Sequence, residues 1–272
     1  MKKASRFKLL PLVLIYVCSL LFMPTAFAGK QNDKIETIRQ ARRAYYSLSR
    51  LGLVGFESKI QPNWQLALKA QLAANPSGAQ EGLKILNGLH FSMLLDQQGN
   101  VKVNHSSDSP APNEQVATGF NQIYQGIEQV VTGFYMTWNL FMLQTPFPED
   151  SAGYQLQDLG NHYLLSYKDK ADEVFMTMTK ELVITELKVS SPQFKGLINP
   201  HFIKTPKGYV LTGYEGNFEP ATGPGKTQLS VKLDYQEVNG LQLPHKLFID
   251  SSYDGEATQV ELLFSDYKIK TR

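Results

Sequence analysis

From Tyr154 to the C-terminus the chain is a succession of strand-length segments: YQLQDLG, HYLLSYKD, EVFMTMTKE, LVITELKVS, FKGLINPHFIKT, GYVLTGYEGNF, TQLSVKLDYQEV, LPHKLFIDS and TQVELLFSDYKIK. Only short Gly, Pro, Asn and Asp punctuation separates them, which leaves no room for crossover helices, so successive strands must pair antiparallel. The expected sheet is therefore a meander and not a series of βαβ units. Leu229, Val231, Leu233 and Tyr235 alternate with Ser230, Lys232, Asp234 and Gln236. That strand has one buried face and one wet face.

The stretch DSSYDGEATQVE has the spacing of an EF-hand loop, with Asp250, Ser252 and Asp254 as ligands, Gly255 at the turn and Glu261 as the closing carboxylate. Such a loop needs a helix on each side, whereas LPHKLFI and VELLFSDY are strand-like. A two-residue type I′ turn at Asp254-Gly255 instead sets Tyr253 opposite Glu256, Ile249 opposite Val260 and Leu247 opposite Leu262. This register accounts for four apolar residues that a calcium loop leaves unexplained, and it leaves the acidic tip only a weak affinity for calcium. Beyond Phe264 the apolar phase moves to Tyr267 and Ile269, as expected if a bulge lies near Ser265-Asp266. The sheet is expected to bend there, with an apolar concave face that needs a cover.

The cover is expected from the first half of the chain. Ile35, Ile38, Ala41, Tyr45 and Leu48 recur at helical intervals, so an amphipathic helix is expected to run to about Gly52, with Arg39, Arg43 and Arg50 on its other side. That basic stripe is either a solvated face or a surface for anionic lipid or a partner. A strand over Val54 to Ile60, two short helices bounded by Pro62, Pro76 and Gly88, and a hairpin around Gln98-Gly99-Asn100 follow. The most apolar helix is expected from Asn113 to about Leu143, stopped by Pro146 and Pro148. Gly119, Gly126 and Gly133 lie on nearly one line of it, each costing about 1 kcal/mol against alanine. Close packing on a neighbouring element is the expected compensation, and the floor of a groove for an elongated apolar ligand is the alternative.

Residues 1–28 have Lys2, Lys3, Arg6 and Lys8, an apolar run from Leu9 to Met23, and Ala26-Phe27-Ala28. This is the pattern of a cleaved signal peptide. Removal takes the lone cysteine, Cys18, and lowers Lys+Arg from 27 to 23 against 25 acidic residues, so the formal charge falls from +2 to −2. A nucleic-acid partner is not expected, nor a transmembrane span after cleavage. One α+β domain over 29–272 is expected, with 29–148 mainly helical and 149–272 the meander.

Motifs for chemistry are absent or only apparent. TGPGKT at Thr222 to Thr227 has Pro220 where the first glycine of a phosphate loop belongs, and a strand follows it instead of a helix. His90, His105, His162, His201 and His245 are dispersed, with no metal-ligand spacing and no G-x-S-x-G elbow. No catalytic residue, cofactor or metal ligand is assigned.

The exported chain, the apolar helix and the meander ending NGLQLPHKLFIDSSYDGEATQVELLFSDYKIK resemble the LolA, LolB and RseB-type carriers and sensors, which are incomplete β-barrels closed by helices. The opening ARRAYYSLSRLGLVGFESKIQPNW also resembles exported bacterial proteins. The resemblance implies a bent half-barrel covered by an N-terminal helical block, in a periplasmic or secreted, non-enzymatic protein. A lipid or acyl chain would lie between Phe120, Ile127, Phe134 and Trp138 on the helix and Leu229, Val231, Leu233, Tyr235, Leu247 and Ile249 on the sheet. The same residues could equally form a filled core. The alternative function is an envelope assembly module that uses sheet edges and the arginine face to hold a protein partner. A hydrolase with dispersed active-site residues is the least favoured reading.

Overall fold

Strand pairing follows chain order through the nine strands from Tyr154 to Thr271, so the meander expected after Tyr154 forms in full. The computed structural model describes residues 25–272 other than 152 and 224, with side chains of the first helix described from Asp33 onward. The signal segment falls mainly on residues 1–24, outside the described residues. The strands are β4 (Tyr154–Asp158), β5 (His162–Asp169), β6 (Asp172–Thr179), β7 (Ile184–Ser190), β8 (Phe194–Thr205), β9 (Gly208–Pro220), β10 (Thr227–Val238), β11 (Leu241–Tyr253) and β12 (Glu256–Thr271).

Three further strands join the same sheet. β1 (Leu53–Pro62) pairs with β12, and β2 (Leu89–Leu95) and β3 (Val101–Ser107) follow it outward. The result is an open 12-stranded antiparallel sheet with β3 and β4 as its edges. The strand and hairpin expected in the first half therefore belong to the sheet and not to a separate helical block. Periodicity assigns each strand's form, but the partner of β1 lies about 200 residues away and is chosen by tertiary packing.

At Asp254 (φ 47°) and Gly255 (φ 92°) both turn residues are left-handed, which defines a type I′ turn. Tyr253 pairs with Glu256, Ile249 with Val260 and Leu247 with Leu262, the register expected from the turn. Asp266 (φ 53°) and Tyr267 together oppose Ser58, because Glu57 pairs with Lys268 and Lys59 with Ser265. The bulge lies within the part of β12 that pairs with β1, a few residues past Leu262 and Leu263, where pairing with β11 ends and pairing with β1 begins.

Among the described residues five α-helices accompany the sheet. Helix α1 spans Thr25–Ala44, and α2 (Trp64–Ala67), α3 (Lys69–Ala74) and α4 (Pro76–Asn87) form the excursion between β1 and β2. Helix α5 (Glu114–Trp138) is capped by Asn113, whose Oδ1 accepts from Val116 N at 2.9 Å, and continues into a π-helical turn over Asn139–Leu143. Helix α1 stops at Ala44, short of the expected Gly52, because Tyr46 N donates to Tyr209 O of β9 at 3.0 Å. Tyr45, Tyr46 and Leu48 are buried as their spacing implied, but in extended and turn backbone.

The three glycines of α5 do not serve close packing. A Cβ on Gly119, Gly126 or Gly133 would meet no heavy atom within 4 Å, so this line of the helix faces open space. Gly208 is the opposite case. Its φ is +116° and a Cβ would lie 2.7 Å from Tyr45 C and Tyr46 N, so only glycine lets the β8–β9 turn meet the end of α1. Gly126→Ala is expected to stabilise the protein by about 0.5–1 kcal/mol. Gly208→Ala is expected to destabilise it by about 2 kcal/mol or more. Urea denaturation of the two variants checks both signs.

Candidate functional site

The ten residues expected to line a ligand space are packed together. Trp138 and Leu247 are fully buried, Ile127, Phe134, Val231, Leu233 and Ile249 are buried, and Phe120, Leu229 and Tyr235 pack at the margin of the same apolar cluster. Phe134 meets Phe264 of β12, and Trp138 Nε1 donates to the Tyr235 hydroxyl at 3.1 Å. Helix and sheet thus share one core. Of the ten, only Leu233 and Tyr235 reach the wall of a described concavity that opens beside this core.

That concavity follows from stagger in the sheet. β9 pairs with β8 along its whole length but with β10 only from Gly213 to Phe218, and β10 pairs with β11 beyond Lys232. The first residues of β9 and the last of β10 therefore diverge. The gap is bridged by Tyr46, whose backbone bonds to Tyr209 O and whose hydroxyl accepts from Gln242 N at 2.9 Å. Beside Tyr46 lies a cleft of about 490 Å³ walled by Ile203, Pro206, Val210, Leu233 and Tyr235. Asp234, Glu237 and Lys207 are its charged members. Lys207 Nζ reaches Gly240 O at 2.8 Å and so ties the β8–β9 turn to the β10–β11 turn.

Burial raises the pKa of Tyr46 and of Tyr235, the Gln242 and Trp138 hydrogen bonds opposing it in turn. Both hydroxyls are neutral near pH 7 and serve as hydrogen-bonding groups. The cleft offers apolar area with a few fixed polar groups, which suits binding. Sequence reasoning found Leu233 and Tyr235 from strand alternation but missed Tyr46, Val210 and Ile203. Their only signal was apolar character, because the divergence of β9 from β10 is a matter of register.

The other candidates are accounted for locally. Asp254 Oδ1 accepts from Lys226 N at 2.9 Å, Asp250 Oδ2 from Gln259 Nε2 at 3.0 Å, and Glu261 is held by Lys246 at 2.7 Å. The EF-hand spacing thus lies along a hairpin ladder, and Lys226 of the TGPGKT stretch closes its tip. His90 meets Asp108, His201 meets Glu215 and His105 stacks on Tyr124, so the histidines do not converge. Among the described residues no group of three or more His, Cys, Asp or Glu could hold a metal ion, and no helix is long and apolar enough to cross a membrane.

The arginine stripe is engaged internally. Arg39 and Arg42 grip Asp150 at 2.7 Å each, Arg43 meets Glu36 at 3.2 Å, and Arg50 donates to Tyr45 O. The hydrogen bonds from Arg39 and Arg42 lower the pKa of Asp150. No family model, curated protein or solved structure matches this chain.

A depressed folded-state pKa contributes stability that is present above the ordinary value, 3.8 for Asp150, and lost as pH falls through the lower folded value. The stability gap between wild type and Asp150→Asn is therefore expected to persist above 3.8 and to close below it, read from thermal melts across an acid pH series. Tyr46→Phe leaves the part-buried Gln242 N without its acceptor and is expected to cost about 1 kcal/mol, measured by urea denaturation.

Proposed function

We propose that this is a non-enzymatic protein of the bacterial cell envelope that holds an apolar ligand, an acyl chain or lipid, in the cleft between β9 and β10. The observation that carries the reading is the cleft itself: about 490 Å³ of space walled by Tyr46, Ile203, Val210, Leu233 and Tyr235, and continuous with the core. Its volume lies within the range of small-molecule sites, and Thr205, Lys207 and Thr212 of its wall are each held by a hydrogen bond to backbone. In this reading the sheet is a bent half-barrel, the N-terminal helical block is its cover, and residues 1–28 direct export to the periplasm or beyond. The likeness to LolA, LolB and RseB-type carriers supports it through the exported-chain pattern and the meander.

The ligand position differs from the one the sequence suggested. Phe120, Ile127, Phe134 and Trp138 already fill the space against Val231, Leu247 and Ile249, so an incoming chain would meet core there. The seam offers space without that displacement. Tyr46 then acts as a floor, and Lys207 lies where a polar head would leave the cleft. The assembly-module alternative keeps the two free sheet edges, β3 and β4, but loses its charge component because the arginine face is paired within the chain.

Purified protein is expected to release lipid on organic extraction and to bind an anthroyloxy-labelled fatty acid saturably. Ile203→Trp, which adds bulk at an exposed wall of the cleft, is expected to weaken that binding at least about tenfold with an unchanged melting temperature. No extracted lipid together with no probe binding would overturn the proposal, and a defined protein adduct on cross-linking in cells would favour the assembly module.

A further inference from the structure

A second concavity, about 370 Å³, lies where α2 and α4 flank the end of β1 and the middle of β12. It shares no residue with the β9–β10 cleft, and its chemistry is different. Five amide side chains, Gln61, Asn63, Gln65, Gln80 and Asn87, surround Trp64. An amide offers donors and an acceptor side by side. That suits hydroxyl groups, which also both donate and accept.

The frame of this groove is fixed from beneath. Asn63 N donates to Glu261 O at 2.8 Å, Asn63 Nδ2 donates to the Glu261 carboxylate at 2.9 Å, and Asn63 Oδ1 accepts from Leu66 N at 3.1 Å. Glu261 is only 15% exposed and forms an ion pair with Lys246 at 2.7 Å. The Lys246 and Asn63 contacts lower its pKa, so its carboxylate brings acceptor oxygens to the groove while its charge is already balanced. Among the described residues, Gln61, Gln65, Gln80 and Asn87 make no side-chain hydrogen bond to the protein. Their donors and acceptors are free for a ligand on a frame that is already rigid.

The composition of the wall discriminates among ligand classes. Lys84 is the one cationic member, too little for a phosphate or polyanion, which calls for clustered Arg or Lys. An acyl chain would leave the amides desolvated and unpaired. A hydroxylated ring with an apolar face satisfies both kinds of group, its hydroxyls meeting the amides and its C–H face meeting the indole of Trp64. We propose that this groove binds a neutral glycan segment, independently of whether the β9–β10 cleft holds an apolar ligand.

The test uses the purified protein with maltohexaose, cellohexaose and chitohexaose as probes and polygalacturonate as the anionic control, followed by calorimetry and tryptophan fluorescence. The chain has 2 tryptophans, and Trp138 is fully buried, so a fluorescence change reports Trp64. At least one neutral hexasaccharide is expected to bind saturably. Trp64→Ala and the exposed double variant Gln80→Ala/Asn87→Ala are each expected to weaken that binding at least about tenfold. The double variant is expected to keep the parental melting temperature, so it remains informative if Trp64→Ala fails to fold. The proposal is overturned by no binding of any hexasaccharide at about 10 mM, by binding that both variants leave intact, or by tighter binding of polygalacturonate than of any neutral probe.

Discussion

The end of helix α5 is buried, and a buried helix end presents carbonyls with no partner in its own helix. Here Leu48 N donates to Met142 O at 2.9 Å and Ser49 Oγ donates to Leu143 O at 2.7 Å. From another side, Asn139 Nδ2 donates to Gly99 O at 2.7 Å in the β2–β3 turn. The π-helical turn brings Asn139, Phe141, Met142 and Leu143 into the interior together, and Leu211 N of β9 approaches the Met142 sulfur at 3.5 Å. The segment after α1, the first hairpin and the middle of the meander are thus ordered around one helix terminus. Removing any of these partners would leave a polar group in an apolar surrounding, at a cost of about 1–3 kcal/mol.

The sheet's openings originate in the stagger of its strands. Long strands that share their length between two neighbours must leave gaps where the sharing ends. β12 leaves β11 after Leu263 while β1 stays paired with it, and beyond the bulge at Asp266 and Tyr267 the Tyr267 hydroxyl spans back to β11, donating to Pro244 O at 2.5 Å. At the β9–β10 gap, Tyr46 performs the same task less completely and a cleft remains. Tyrosine suits both places because one ring supplies apolar area while its hydroxyl satisfies a backbone group. The proposed ligand site is therefore a by-product of strand stagger, sited where a tyrosine seals a gap only in part.

Legibility in the sequence followed the range of the interaction involved. Asp254-Gly255 is a local signal that selects its own turn, and the register of Ile249 on Val260 and Leu247 on Leu262 follows from it. The bulge was legible because a phase change from Phe264 to Tyr267 admits few other causes. The end of α1 was not legible. Tyr45 and Leu48 continue the helical spacing of Ile38 and Ala41, yet Tyr46 bonds to Tyr209, 163 positions along the chain, so that β9 takes the backbone from the helix. The glycine line of α5 misled for a related reason: spacing places glycines on one side of a helix without saying whether that side meets a neighbour or open space.

By itself, the sequence determined the strands and their order, the hairpin register near the C-terminus and the long apolar helix, because periodicity and turn chemistry act between residues close along the chain. It also determined which residues would be apolar core, since Leu229, Val231, Leu233, Leu247 and Ile249 carry the alternation that buries them. The tertiary structure alone decided that β1 would pair with β12, that α1 would yield at Tyr46, and that a cleft would open at the β9–β10 seam. Each of those depends on which distant backbone groups find partners first satisfied and which are left to a side chain, and no local pattern records that competition.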